Sequence, residues 1–319
     1  IGTDKLQFIV TKLRVFAEEA GAKFHFGAKF EDIDVRDDAV SRIQIDGKWI
    51  DCESLVLATG HSARDVYQML HDNGVDVESK AFAIGFRVEH PQTLINERQY
   101  GSIDPLVPGA AEYSLNCPAD EERAGAYSFC MCPGGVLIPC ATEQGELATN
   151  GMSYSRRSGK FANSGIVVPV LPQEGDPVMA GIDLQRKLER QAFDIGGKNW
   201  GAPAQKLESF INGIEDSELH KSSYPGQLVP HEHGEFFEPD VVDALKRSLL
   251  DFERKIPGFI EKGILVSPET RTSSPIRITR DVKTLESTNT KGLFALGEGA
   301  GFAGGIISSA ADGAKLAWF

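Results

Sequence analysis

The stretch Gly297-Glu298-Gly299-Ala300-Gly301-Phe302-Ala303-Gly304-Gly305 limits the fold more than any other in this chain. It follows the apolar quartet Leu293-Phe294-Ala295-Leu296, which reads as a short buried strand. A helical pattern of small residues follows, from about Gly304 to Trp318. Strand, glycine turn and helix in that order are the working unit of an α/β nucleotide-binding fold, and Gly299 to Gly304 spell G-x-G-x-x-G. A complete dinucleotide fingerprint also needs a second strand and an acidic residue about 20 positions on, to hold a ribose. Only 15 residues follow Gly304, so a first dinucleotide turn is a poor reading. The glycines could equally serve close packing of a helix on a sheet.

The opening of the chain supplies more of the same style. Leu6, Ile9, Val10, Leu13, Phe16, Ala17 and Ala20 keep the spacing of an amphipathic helix, with Thr3 or Asp4 to cap it and Gly21 to end it. Four segments then predict a small antiparallel meander: Lys23–Phe26, Ala28–Val35, Ala39–Ile45 and Lys48–Cys52. Ser54-Leu55-Val56-Leu57-Ala58 predicts a strand buried on both faces, closed by Thr59-Gly60. Ser62-Ala63-Arg64-Asp65 looks like a capping box for a helix through Leu70. Between about Lys80 and Arg280 the texture is mixed, with alternation at Phe82–Val88 and Gly135–Pro139. Helical patterns stand at Gly181–Phe193 and Pro239–Lys255, and loops at Pro172–Pro177 and Gly196–Pro203. The fold class expected is α/β with an inserted α+β unit.

The charge balance, 33 basic against 46 acidic residues, argues against nucleic-acid or anionic-membrane partners, which need a positive face. No apolar run approaches the roughly 18 residues of a membrane span. Five cysteines, an odd number, suit a reducing compartment, so a cytoplasmic protein is expected. Ile1 stands where Met would open a chain, and Lys315–Phe319 stop inside a helical pattern. The sequence reads as an excised piece of a longer protein.

Thr288-Asn289-Thr290-Lys291-Gly292-Leu293-Phe294-Ala295-Leu296-Gly297-Glu298 resembles the second flavin motif of two-dinucleotide-binding-domain flavoproteins. Leu55–Gly60 resembles their "ATG" segment, and Gly27-Ala28-Lys29-Phe30 the stretch whose backbone meets the adenine. Longer strings are similar to one family, the uncharacterised FAD-dependent dehydrogenases, distantly similar to aminoacetone-oxidase-like and bile-acid-reductase-like flavoproteins. They are Ile1–Asp4, Ala58–Asp65, Tyr127–Gly135, Thr149–Ser153, Glu269–Pro275 and Gly297–Gly305. The resemblance implies an FAD-binding domain at 1–78 and 284–319, with a substrate domain inserted at 79–283. It implies FAD contacts from Phe30, Ala58, Thr59, Gly60, Gly297, Glu298, Gly299, Ala300, Gly301, Phe302, Gly304, Gly305 and Ile306. Glu298 takes the place where an acidic residue bonds the ribityl chain, and Asp is commoner there. The helix after Gly305 would aim its amides at the flavin pyrimidine edge. In that family a glycine-rich ADP-binding turn precedes the segment matching Ile1, and this sequence has none before Thr3; FAD held weakly or not at all by this piece is therefore expected.

Four residues are candidates for chemistry. His61 follows the Ala-Thr-Gly turn and could donate a proton, or serve only as a polar residue at a helix start. Arg271, with Thr272, Ser273, Ser274 and Arg277, suits an anionic or carbonyl-bearing small substrate, or surface pairing with the acidic majority. Cys130 and Cys132 could be a redox pair, or two small hydrophobes sharing one face of a strand. His231-Glu232-His233 predicts a solvated loop, and no metal site is expected. The function expected is an FAD-dependent oxidoreductase passing a hydride between flavin and a small organic substrate or NAD(P)H. The alternatives are a thiol-disulfide reductase using Cys130 and Cys132, and a noncatalytic flavin-fold binding module.

Overall fold

The computed structural model describes residues 2–101, 109–121, 123–171, 173, 175 and 177–318. Ile1, Phe319 and the residues Pro172, Glu174 and Asp176 of the expected Pro172–Pro177 loop lie outside them. In chain order the elements begin α1 (Thr3–Glu19), β1 (Phe30–Arg36), β2 (Ala39–Ile45), β3 (Lys48–Asp51), β4 (Leu55–Leu57), α2 (Arg64–Asp72), β5 (Val77–Ser79) and β6 (Phe82–Pro91). They continue through α3 (Gln92–Tyr100), β7 (Asn116–Cys117), β8 (Ala126–Cys140), β9 (Ala148–Met152), β10 (Phe161–Val170), α4 (Ala180–Ile195), β11 (Ala202–Lys206) and α5 (Leu207–Asn212). The last are β12 (Leu228–Pro230), α6 (Pro239–Lys255), α7 (Phe259–Lys262), β13 (Ile264–Glu269), β14 (Ile276–Ile278), β15 (Leu293–Ala295) and α8 (Ile306–Leu316).

The chain forms two compact units. One holds residues 23–82, 170–184 and 272–319, including the glycine loop. It contains the meander β1-β2-β3, the antiparallel pair β14-β5 and the parallel pair β15-β4. Asp37 and Asp38 adopt left-handed backbone in the β1-β2 turn, where short polar side chains tolerate it. Its core gathers Ile33, Val40, Leu57, Tyr67, Leu70, Ile276 and Leu293. Val66, Tyr67 and Leu70 are the helical stripe that buries α2 against this core.

The other unit holds 1–22, 83–169 and 185–271. Its sheet runs β12-β11-β13-β6-β10-β8-β7, with β9 paired to β8. Every residue of β13, and all of β6 before Pro91, is buried, as central strands covered on both faces require. Helix α6 has the predicted bounds, and buries Val242, Leu245, Leu249 and Phe252 on one face.

Several expectations need correction. Lys23–Phe26 forms no strand, and Phe24 and Phe26 are exposed. Strand β4 is not buried on both faces: Val56 is half exposed, because β15 is its one described neighbour. The N-cap of α2 is Ala63, without a side-chain cap, so the capping box does not form. Helix α1 exists, but none of its side chains is buried, and Phe8 and Phe16 stand in solvent. Asp4 does not cap it either; its carboxylate accepts from Ser155 N and Oγ at 2.7 and 2.8 Å. The compact units also group 1–22 with 83–169, and 170–184 and 272–283 with the glycine loop.

Candidate functional site: two loops at one sheet edge

Strands β4 and β15 run parallel, pairing Leu293 with Leu55, Phe294 with Val56 and Ala295 with Leu57. One further bond, Leu296 N to Leu57 O at 2.8 Å, extends the ladder. Ala58-Thr59-Gly60 and Gly297–Gly305 therefore leave the sheet side by side at its carboxyl edge. In open α/β sheets that edge is where ligands bind. The approach is tight enough to demand glycine: a Cβ on Gly299 would sit 2.7 Å from Gly60 O. Gly60 itself needs φ +74°, which L side chains rarely adopt. Gly301 combines φ +81° with a Cβ position 2.6 Å from Ile276 O.

Side chains from elsewhere in the unit pin the loop. Tyr67 Oη donates to Gly299 O at 2.7 Å and lies 3.0 Å from Ser274 Oγ. Burial pushes the Tyr67 phenol up to about 12, so it stays a donor at neutral pH. Ile278 N donates to Ala300 O at 3.2 Å. Asp312, on α8, accepts from Gly297 N and from both terminal nitrogens of Arg280, each at 2.8 Å. The Arg280 guanidinium also lies 4.0 Å from the Phe302 ring centroid, where a cation is attracted to the ring face.

The open side of the loop is polar. His61 Nε2 stands 3.7 Å from Glu298 Oε1. Burial raises the Glu298 carboxyl above its ordinary value, against the opposing pull of Lys80. Lys80 donates to the carbonyls of Ala81 and Ser274 at 3.2 Å. Helix α8 starts at Gly305 with no side-chain cap and no acid in its first turn, and Ile306, Ile307 and Ser308 are exposed. Its first amides and positive dipole end thus face an open edge.

The structure brings together Ala58, Thr59, Gly60, His61 and the run from Gly297 to Ile306. Phe30 lies in the same unit on β1, lining a shallow hollow of about 170 Å³ with Asp65, Val66 and Met69. Arg271, Cys130 and Cys132 belong to the other unit. There Arg271 is committed: Nε and Nη2 donate to Glu189 at 2.7 and 2.8 Å, and Glu146 lies within 4.0 Å. Its substrate role therefore finds no free guanidinium face. His233 corrects the solvated-loop expectation, being fully buried with Nδ1 2.8 Å from His231 O. Among the described residues no cluster of three or more His, Cys, Asp or Glu could hold a metal. None of their helices is long and apolar enough to cross a membrane.

Sequence reasoning missed Tyr67, Lys80, Arg280 and Asp312. For Asp312 a signal existed, because it is the one acid in a helix of small and apolar residues. Tyr67 and Arg280 had none: their partners are 232 and 32 positions away.

A family described as "FAD-dependent protein, C-terminal domain-like" matches residues 81–272. A curated relative, an uncharacterized protein of Clostridium beijerinckii, is 45% identical over 325 residues, covering 99% of this chain and 60% of that protein. The chain thus spans about 60% of that relative's length. Among solved structures, an oxidoreductase from Methanosarcina mazei aligns with TM-score 0.36 and 14% identity, over 96% of this chain and 52% of that one. CtdE in complex with FAD aligns with TM-score 0.31 and 9% identity, over 89% and 51%.

Proposed function

The chain belongs to the family of FAD-dependent proteins defined by this C-terminal domain, and from that premise we propose that the whole protein is an FAD-dependent oxidoreductase. The observation that carries the reading is the convergence of Gly60 and Gly299 at the carboxyl edge of β4 and β15. The residues fit the ring and ribityl end of FAD on two counts: a cradle that a Cβ would fill, and a helix start whose amides have no cap. When bound, FAD supplies two-electron hydride chemistry, and the protein supplies position and electrostatics.

Each residue then has a task. Gly297, Gly299, Gly301 and Ala58–Gly60 would let the backbone lie close to the ring. Glu298 would accept from the ribityl hydroxyls, and Gly304, Gly305 and Ile306 open the helix whose amides would steady negative charge at the pyrimidine edge. Phe302, over Arg280, braces the loop. His61, beside Glu298, holds a proton at Nε2 for a substrate. Phe30 would flank the adenine end. NAD(P)H and a small anionic or carbonyl compound are the proposed electron donor and substrate. The pyrophosphate turn is assigned to sequence beyond these 319 residues. Support comes from the sheet: among the described residues, a parallel pair with Val56 half exposed has less cover than parallel strands normally have.

The test is anaerobic addition of NADH or NADPH to the full-length protein loaded with FAD. Bleaching of the oxidised-flavin absorbance with either donor supports the reading. A full-length protein that binds FAD but is bleached by neither donor, and whose dithionite-reduced flavin is not reoxidised by a panel of small carbonyl compounds, supports the noncatalytic alternative instead.

A further inference from the structure

A buried polar row crosses the middle of the larger sheet. Glu269 on β13, Arg87 on β6, Asn163 on β10 and Cys132 on β8 occupy four neighbouring strands. Arg87 Nε donates to Glu269 Oε2 at 2.7 Å, and Nη1 to Asn163 Oδ1 at 2.9 Å. Nη1 also reaches Cys130 O at 3.2 Å and lies 3.9 Å from Cys132 Sγ. Arg87, Glu269 and Asn163 are fully buried. A side chain at residue 151 would collide with this row, since a Cβ on Gly151 would sit 2.0 Å from Asn163 Oδ1. Arg87 Nη2 and Asn163 Nδ2 are buried with no hydrogen-bond partner among the described residues. The row therefore has donors to spare, beside two sulfurs.

The local backbone departs from a strand at the same point. Between the pairs Asn163–Cys132 and Gly165–Phe129, β8 carries one residue more than β10, a bulge that contains Cys130. Cys130 takes φ +46°, a left-handed conformation unusual for a side-chain-bearing residue in a strand. The two thiols thus do not simply share one face of a regular strand. Cys130 is exposed, Cys132 is buried, and both are reduced.

We propose that Cys130 and Cys132 form a peroxide-oxidisable thiol site, with Cys130 as the attacking sulfur and Cys132 as the resolving one. The neighbouring Cys132 thiol, whose Sγ donates to Cys130 O at 3.4 Å, pulls the Cys130 thiol down to about 6 against the effect of burial, with Arg87 adding to the pull, while Cys132 is held protonated. The co-reactant is a peroxide. The Cys130 thiolate attacks one oxygen, the S–O bond forms, the O–O bond breaks and hydroxide leaves. Cys132 then attacks the sulfenic sulfur; the S–S bond forms, the S–O bond breaks, and the departing hydroxide leaves as water with the Cys132 proton. Two electrons pass from the thiols to one peroxide. A ring closed across a single residue is easily reduced again by ordinary thiols. None of this depends on the flavin reading.

Mass spectrometry tests it on the purified chain without flavin. Iodoacetamide labelling at pH 6.5 should modify Cys130 about fivefold faster than Cys52, because thiolate fraction outweighs the lower nucleophilicity of a low-pKa sulfur. The Cys130 rate should rise through pH 6 and level off by pH 7. Hydrogen peroxide should yield a 130–132 disulfide in the parent protein, and in Cys132→Ser a sulfenic acid at Cys130 trapped by dimedone. Cys130 labelling no faster than Cys52, or peroxide leaving both thiols reduced while Met152 oxidises, overturns the proposal.

Discussion

The backbone amide of Gly297 donates to the carboxylate of Asp312 at 2.8 Å, tying the start of the glycine loop, two residues past β15, to the middle of α8. Both oxygens of that carboxylate also take Arg280, so one buried ion pair fixes where the glycine loop begins and how its helix returns. Burial alone would raise the Asp312 carboxyl; the Arg280 and Gly297 bonds win and hold it below the ordinary carboxylate value.

Asp312→Ala leaves Arg280 buried and uncompensated, and such losses cost roughly 3–5 kcal/mol. The expected outcome is a lowered urea midpoint with an unchanged slope. Arg280→Ala should match it, and the double variant should lose much less than the two added. Additive losses would show that the pair does not act as a unit.

Tyr67→Phe removes a hydroxyl whose bonds reach Gly299 O and Ser274 Oγ in the core. An unpaired buried acceptor costs about 1–3 kcal/mol. Because the bond holds the loop rather than the sheet, exchange of the amides near Gly299 should quicken more than exchange in β1 and β2. Uniform quickening across the unit would contradict that placement.

How much of this could be read in advance depended on whether a feature was local. The strand, glycine turn and helix around Leu293–Leu316 announced themselves, because each follows from neighbouring residues. The same holds for α6, with its stripe from Val242 to Phe252. What sequence could not supply was the pairing of distant groups. Arg271 reads in sequence as available for an anion, but Glu189 lies against it. His233 looked solvated, yet it packs against Phe236 in the interior. Val56 looked buried by its apolar neighbours, but burial belongs to the sheet around a strand and not to the strand alone.

Two buried histidines predict an acid-sensitive fold. Burial holds the His90 pKa at about 4 and that of His233 at about 3, both from an ordinary 6.5. Each is neutral when folded, so as pH falls through 6.5 the unfolded chain takes up the proton first. Stability is therefore present above pH 6.5 and is lost progressively toward pH 4 and below, on the order of 3 kcal/mol from His90. Urea midpoints between pH 7 and 4 check this, and His90→Gln should flatten part of the slope. A midpoint that does not move over that range would contradict the burial argument.

Gly299→Val introduces atoms where Gly60 O leaves only 2.7 Å for the first of them. The loops must part, at a cost of about 1–3 kcal/mol. In the full-length protein the expected result is loss of bound FAD with most of the fold retained, read by flavin absorbance beside far-ultraviolet circular dichroism. Retention of flavin at parent levels would place the cofactor elsewhere.

The most direct measurement is the visible absorbance spectrum of this 319-residue chain, incubated with FAD and desalted, beside that of the full-length protein. Visible flavin bands are expected in the longer protein, and weak or no bands in the shorter. Absence of flavin from both, after FAD is supplied, would contradict the central claim that Gly60 and Gly299 frame a flavin site.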